Sequence, residues 1–111
     1  MASWSMENRD ISIALGQLQI EVIDLKNYSL LNTDRIIGIL SDYRSLLSRL
    51  NVLHPLAYDN LFDIGLGEIS DHLALMQSVC TVEGKQLTFN DLQFYLSESI
   101  ADAREKLAAL G

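Results

Sequence analysis

The feature that most limits what this chain can fold into is a repeated apolar spacing. Ile11, Leu15, Leu18, Val22 and Leu25 step by four, three, four and three residues. With 3.6 residues per turn, that spacing lines all five side chains along one stripe of an α-helix. Ile36, Leu40, Tyr43, Leu47 and Leu50 repeat the same steps. A short strand-like alternation competes, since Gln19 and Glu21 separate Leu18, Ile20 and Val22. The helical period covers the whole run, however, and strands are seldom that long. The fold class expected is therefore all-α: a single-domain antiparallel bundle of four or five helices joined by short loops.

The stripes and their flanking residues place the elements. Helix 1 is expected at about 10–28, with Gly16 inside it. A helical glycine costs roughly 1 kcal/mol relative to alanine, so close packing is expected there. Helix 2 is expected to start at Asn32-Thr33-Asp34, with Asn32 as cap and Leu31 and Ile36 at staple spacing, and to stop near Asn51. Pro55 suits the first turn of a third helix, which Leu56, Leu61, Phe62 and Ile64 supply with apolar surface. Gly65-Leu66-Gly67 then breaks it before a second segment at about 67–81 carrying Ile69, Leu73, Met76 and Cys80. Glu83-Gly84-Lys85 reads as a turn with Gly84 left-handed. In the last helix Thr88 and Asp91 have capping-box character, Leu87 and Leu92 form a staple, and Leu92, Leu96, Ala103, Leu107 and Leu110 form the stripe. Met1-Ala2-Ser3-Trp4-Ser5 looks like an affinity-tag leader, which leaves residues 6–111 as a single helical domain.

Charge narrows the partners. Among 111 residues, 15 are acidic and 8 basic, a formal charge of −7. An acidic surface repels nucleic acid and anionic lipid and attracts cationic proteins. The imbalance is local. Residues 1–31 carry −2, 32–54 carry +1, 84–111 carry −1, and 55–83 carry −5 without a single lysine or arginine. Asp59 and Asp63 lie one turn apart, where like charges oppose the helix by a few tenths of a kcal/mol. Such a row is either a solvated face or a surface for a cationic partner. Asp91, Glu98, Asp102 and Glu105 make a second row, and Lys106 is placed to pair with Asp102. Tyr58 and Phe62, beside Asp59 and Asp63, are either core residues or aromatic anchors within an acidic rim.

Catalysis and metal binding find little support. His54 precedes Pro55 and reads as a loop or cap residue, and His72 as a boundary or surface residue. Cys80 follows His72 by eight positions, about 12 Å of helical rise, which is too far for one zinc ion. Cys80 instead reads as a small core residue. The glycines match neither a phosphate loop nor a dinucleotide fingerprint, and the acidic spacing matches no calcium loop. No catalytic residue, cofactor or metal is expected. One cysteine excludes an internal disulfide, and no apolar run reaches membrane length. With no signal-peptide pattern at the start, a reducing cytoplasm is the expected compartment.

The stretch Leu61-Phe62-Asp63-Ile64-Gly65-Leu66-Gly67-Glu68, followed by Leu73-Ala74-Leu75, Cys80, Glu83 and Leu87, resembles the central segment of MafI-type bacterial immunity proteins. Gly67-Glu68 and Ala74-Leu75 fit their recurrent pattern, whereas the long helix 1 and Gly65 lie outside it. The resemblance implies a small acidic helical protein that binds a cognate secreted toxin, often a nuclease, and blocks its active site or substrate groove. Such a toxin is basic, so the charge and the resemblance point to one partner class. The surface expected to bind it comprises Tyr58, Asp59, Phe62, Asp63, Glu68 and Asp71. The competing expectation is a self-associating helical adaptor or regulatory protein with no toxin partner, in which the stripes of helices 1 and 2 are shared between protomers of a homodimer.

Overall fold

A computed structural model of the chain describes residues 2–55 and 66–110. Four helices account for nearly all of them: α1 Ala2–Asp24, α2 Leu30–Leu53, α3 Leu66–Ser78 and α4 Val82–Leu110. No strand occurs among the described residues. The helices form a bundle elongated to 52 × 23 × 17 Å. The 29 residues of α4 make it the longest element, and it packs along both α1 and α3.

Both apolar stripes behave as their spacing requires. Ile11, Leu15, Leu18, Val22 and Leu25 are all buried, as are Ile36, Leu40, Tyr43, Leu47 and Leu50. Ile39 joins the second stripe. From α4 the core takes Phe89, Leu92, Leu96, Ile100, Ala103 and Leu107, and from α3 Ile69 and Met76. Each fully buried aliphatic or aromatic side chain contributes about 1.5–3 kcal/mol of transfer free energy, so this single cluster dominates the stability. Leu110, expected on the stripe of the last helix, is 38% exposed instead. It sits at the last position of α4.

The helix ends depart further from expectation. α1 stops at Asp24 rather than 28, and a side chain from α4 is the reason. Gln93 Nε2 donates to the carbonyls of Val22 (2.6 Å), Ile23 (3.4 Å) and Leu25. The last carbonyls of a helix lack i+4 amide partners; Val22 O additionally accepts the Leu25 amide at 3.2 Å. The chain then turns, and Tyr28 N–H donates to Gln86 Oε1 at 2.7 Å. The cap of α2 is Ser29, not Asn32: Ser29 Oγ accepts from the Asn32 amide at 2.9 Å. Leu31 is 65% exposed, so the staple with Ile36 does not form. At the far end α2 runs to Leu53, and His54 is its C-cap, donating its amide to Leu50 O.

The start of α4 is the largest correction. Glu83-Gly84-Lys85 is not a turn but the first turn of the helix. Thr81 is the cap, its Oγ1 accepting the Gly84 amide at 3.0 Å and its carbonyl accepting the Lys85 amide at 3.0 Å. Thr88 is buried inside the helix and donates its hydroxyl to Gly84 O at 2.9 Å, so it is no cap. Leu87 is 59% exposed and staples nothing. Gly84 is needed for space, because a Cβ there would lie 2.5 Å from Val79 Cγ1 and 2.7 Å from Thr81 Oγ1. Cys80, expected in the core, is exposed. α3 has ended at Ser78, so the helical spacing that relates Cys80 to Met76 no longer applies.

Polar contacts tie the helices together around the core. The Tyr43 hydroxyl, on a side chain almost fully buried, hydrogen-bonds Ser99 O at 3.0 Å and Ser99 Oγ at 2.8 Å. Arg44 donates to Ser70 Oγ at 2.8 Å, and Lys85 Nζ to Met76 O at 2.9 Å. The expected close packing at Gly16 is present: a Cβ there would meet the Arg104 guanidinium carbon at 3.2 Å. Arg104 also donates to Gln19 Oε1 at 3.4 Å.

Candidate functional site

The register of α4 sets which of its side chains face outward. With Leu92 and Leu96 buried, Phe94 lies about 200° around the helix from Leu92, on the side away from the core. Phe94 is 59% exposed and Tyr95 37%. Their rings meet edge to face, with centroids 5.7 Å apart and planes at 73°. From α3, the His72 ring lies 4.8 Å from that of Tyr95. The three rings form one surface cluster spanning the α3–α4 seam.

Carboxylates flank this cluster. Asp91 is one turn before Tyr95, and Glu98 is one turn after Phe94; both are exposed, as is Asp71 beside His72. The result is an apolar aromatic centre with an acidic edge. A protein interface of this kind desolvates its aromatic centre on docking, while the rim charges steer encounter. Asp102, further along the row, pairs with Lys106 at 2.8 Å as its spacing predicts.

The residues expected to form the binding surface are only partly placed. Tyr58, Asp59, Phe62 and Asp63 lie outside the described residues. Glu68 falls in the first turn of α3 with its side chain outside the description, and Asp71 is exposed on α3. Of that set, Asp71 is the residue whose side chain is described, exposed and adjacent in sequence to His72. Phe94 and Tyr95 were not singled out in the sequence. The available signal was their place between Leu92 and Leu96, at helical angles the buried stripe does not occupy.

A second acidic feature lies between α1 and α2. Glu21, Asp24 and Asp42 face Arg35 across a depression of about 410 Å³ floored by Leu25 and Ile39, with Gly38 on its wall. It runs into a neighbouring depression of about 500 Å³ bounded by Ala14, Leu18, Leu46 and Arg49. The ion pair between Arg49 and Glu7 lies at the outer end of the same seam. Carboxylates and guanidiniums are mixed along it, so it lacks the single sign of the α3–α4 edge.

His54 behaves as a cap residue. It is half-buried, with Nε2 3.0 Å from Asn8 Oδ1. Among the described residues, no group of three or more histidine, cysteine or carboxylate side chains is arranged to hold a metal ion. Nor does any helix among them have the length and apolarity to cross a membrane. The chain matches no family model, no curated protein and no solved structure.

Proposed function

We propose that the chain is an acidic binding protein that covers a cationic surface of another protein without chemistry of its own. The partner class that best suits it is a bacterial toxin, a basic nuclease domain being the form the resemblance implies, and the chain would then be its immunity protein in a reducing cytoplasm. The observation that carries this reading is the cluster of Phe94, Tyr95 and His72 edged by Asp71, Asp91 and Glu98. Aromatic anchors within a like-charged rim give both contact energy and electrostatic steering. The net charge of −7 acts in the same direction over longer range. Asp59, Asp63 and Glu68 extend the acidic surface in sequence, with Tyr58 and Phe62 as further anchors.

We also read the bundle as antiparallel throughout. The pairs Gln19–Arg104, Val22–Gln93 and Tyr28–Gln86 support this for α1 and α4, because one residue number rises as the other falls.

The test begins with a pull-down at low salt, with mass spectrometry to identify the partner. Association kinetics are then measured for the chain and for charge-reversal variants. Asp91→Lys with Glu98→Lys, and separately Asp59→Lys with Asp63→Lys, are expected to slow association about tenfold and flatten its salt dependence, with an unchanged helical signal. Association unaltered in both double variants would refute the surface assignment. A captured partner with an acidic surface would refute the charge argument.

A further inference from the structure

The solvent side of α4 has a repeat of its own. Leu87, Phe94, Ala101 and Ala108 fall seven residues apart, and Asp91, Glu98 and Glu105, also seven apart, fall between them. The combined steps are four and three throughout, from Leu87 to Ala108. With 3.6 residues per turn these positions share one face, opposite the buried stripe of Leu92, Leu96 and Ala103. Burial agrees with that placement. Leu87 and Phe94 are each 59% exposed; Asp91, Glu98, Glu105 and Ala108 are exposed and Ala101 is half-buried. Apolar and acidic side chains thus alternate along a seam about 31 Å long. A helix face given over to solvent is polar throughout, whereas this one sets an apolar side chain at every second step.

Charge and shape select the occupant. The carboxylates of the seam stand about 10.5 Å apart along the axis, and all charges in it have one sign. The nearest cations on α4 lie off the seam. Arg104 reaches across to Gln19 on the α1 side, and Lys106 pairs with Asp102 on the other. A seam one side chain wide that steps by four and three matches a second α-helix along its length, because a seven-residue repeat keeps two helices in contact. A flat surface meets such a seam only along a line. A helix with lysine or arginine at every seventh position sets a cation beside each carboxylate, as flanking charges do between paired helices. Its apolar column then covers Leu87 and Phe94. At Ala101 and Ala108 the short side chains let the two axes approach toward the short end of the usual spacing of about 8–10 Å.

A second copy of this chain is the wrong occupant. Two α4 faces would set carboxylate against carboxylate, and the stripes beginning at Ile11 and Ile36 are consumed inside the chain.

We infer that the outer face of α4, from Leu87 to Ala108, docks one basic amphipathic α-helix of the partner, with a cation at every seventh residue. This rests on the reading of the chain as a binder of cationic proteins and names the element of the partner that is bound. It carries the surface beyond the aromatic cluster, because Leu87, Glu105 and Ala108 belong to the seam and not to that cluster.

The experiment uses the purified full chain and two synthetic peptides of identical composition, each about 25 residues, long enough as a helix to span the seam. In one, lysines recur every seven residues beside a column of leucines. In the other, the same residues are reordered so that the lysines surround the helix. Fluorescence anisotropy measures affinity, and circular dichroism measures the helix induced on binding. The patterned peptide is expected to bind at least about tenfold more tightly than the reordered one, to gain helical signal, and to weaken as salt rises. Leu87→Ser is expected to weaken the patterned peptide about fivefold and to leave the reordered one unchanged. Glu105→Lys is expected to weaken the patterned peptide about tenfold, more than it weakens the reordered one. Both side chains are exposed, so the helical signal of the chain itself should stay intact. Equal affinity for the two peptides would overturn the inference and leave the cationic-partner reading standing. Binding of neither peptide, or preferential binding that neither variant weakens, would overturn it too; the Asp91 and Glu98 kinetics with the captured partner judge the wider reading separately. So would sedimentation of the chain alone as a dimer that Leu87→Ser disperses.

Discussion

Replacing glycine by alanine at Gly38, Gly16 and Gly84 applies one chemical change to three helical positions, and the structure assigns the outcomes different signs. In a helix interior the change should stabilise by about 0.8–1 kcal/mol, because glycine has more backbone freedom to lose. At Gly38 nothing lies within 4 Å of the added Cβ. The full gain is therefore expected, a rise in Tm of about 4 °C for a chain of this size. At Gly16 the new Cβ meets the Arg104 guanidinium at 3.2 Å. That group is the end of a long exposed side chain and can shift by a few tenths of an ångström, so a smaller stabilisation remains. At Gly84 the Cβ would lie 2.5 Å from Val79 Cγ1 and 2.7 Å from Thr81 Oγ1. Valine is short and stiff at χ1, and the Thr81 hydroxyl is held as the cap of α4. Overpacking costs about 1–3 kcal/mol, and displacing the cap costs roughly another 1 kcal/mol. These exceed the helix gain, so Gly84→Ala is expected to destabilise by about 1–3 kcal/mol. Urea and thermal unfolding followed by circular dichroism measure all three. If Gly84→Ala stabilises the chain as much as Gly38→Ala does, the start of α4 at Val82 is misassigned and the steric reasoning fails.

Three other perturbations follow from the contacts between helices. Gln93→Leu removes the donor that closes the C-terminus of α1; a loss of about 2 kcal/mol is expected, with reduced hydrogen-exchange protection at the Leu25 amide, which bonds Val22 O at 3.2 Å. Tyr43→Phe removes the hydroxyl bonded to Ser99 while keeping the ring volume, so urea unfolding should show a loss of about 1 kcal/mol with an unchanged m-value. Arg49→Met breaks the pair with Glu7, but the Arg49 side chain is 60% exposed. The expected change in stability is within about 0.5 kcal/mol, and smaller still at high salt.

The candidate site was only partly legible before folding. Acidity and an aromatic anchor could be inferred from composition and spacing, and Asp71 is exposed on α3. Phe94 and Tyr95 could not be separated from core aromatics, because burial on α4 depends on which of its faces α1 and α3 cover. His72 reads as a boundary or surface residue and is half-buried, and its partner ring comes from a residue 23 positions later. Local spacing cannot report a contact of that kind.

What the sequence determined by itself is the helical class and the inner faces of α1 and α2. Those follow from a period of 3.6 imposed on apolar residues, a property local to each segment. Where the helices begin and end was decided by tertiary contacts. Gln93 stops α1 from across the bundle, and Thr81 rather than Thr88 starts α4 because Gly84 lets Val79 approach. Which apolar side chains of α1 are buried was also a tertiary outcome. Ile13, Ile20 and Ile23 are as apolar as the buried stripe, but α2 and α4 cover only the stripe, and these three remain exposed.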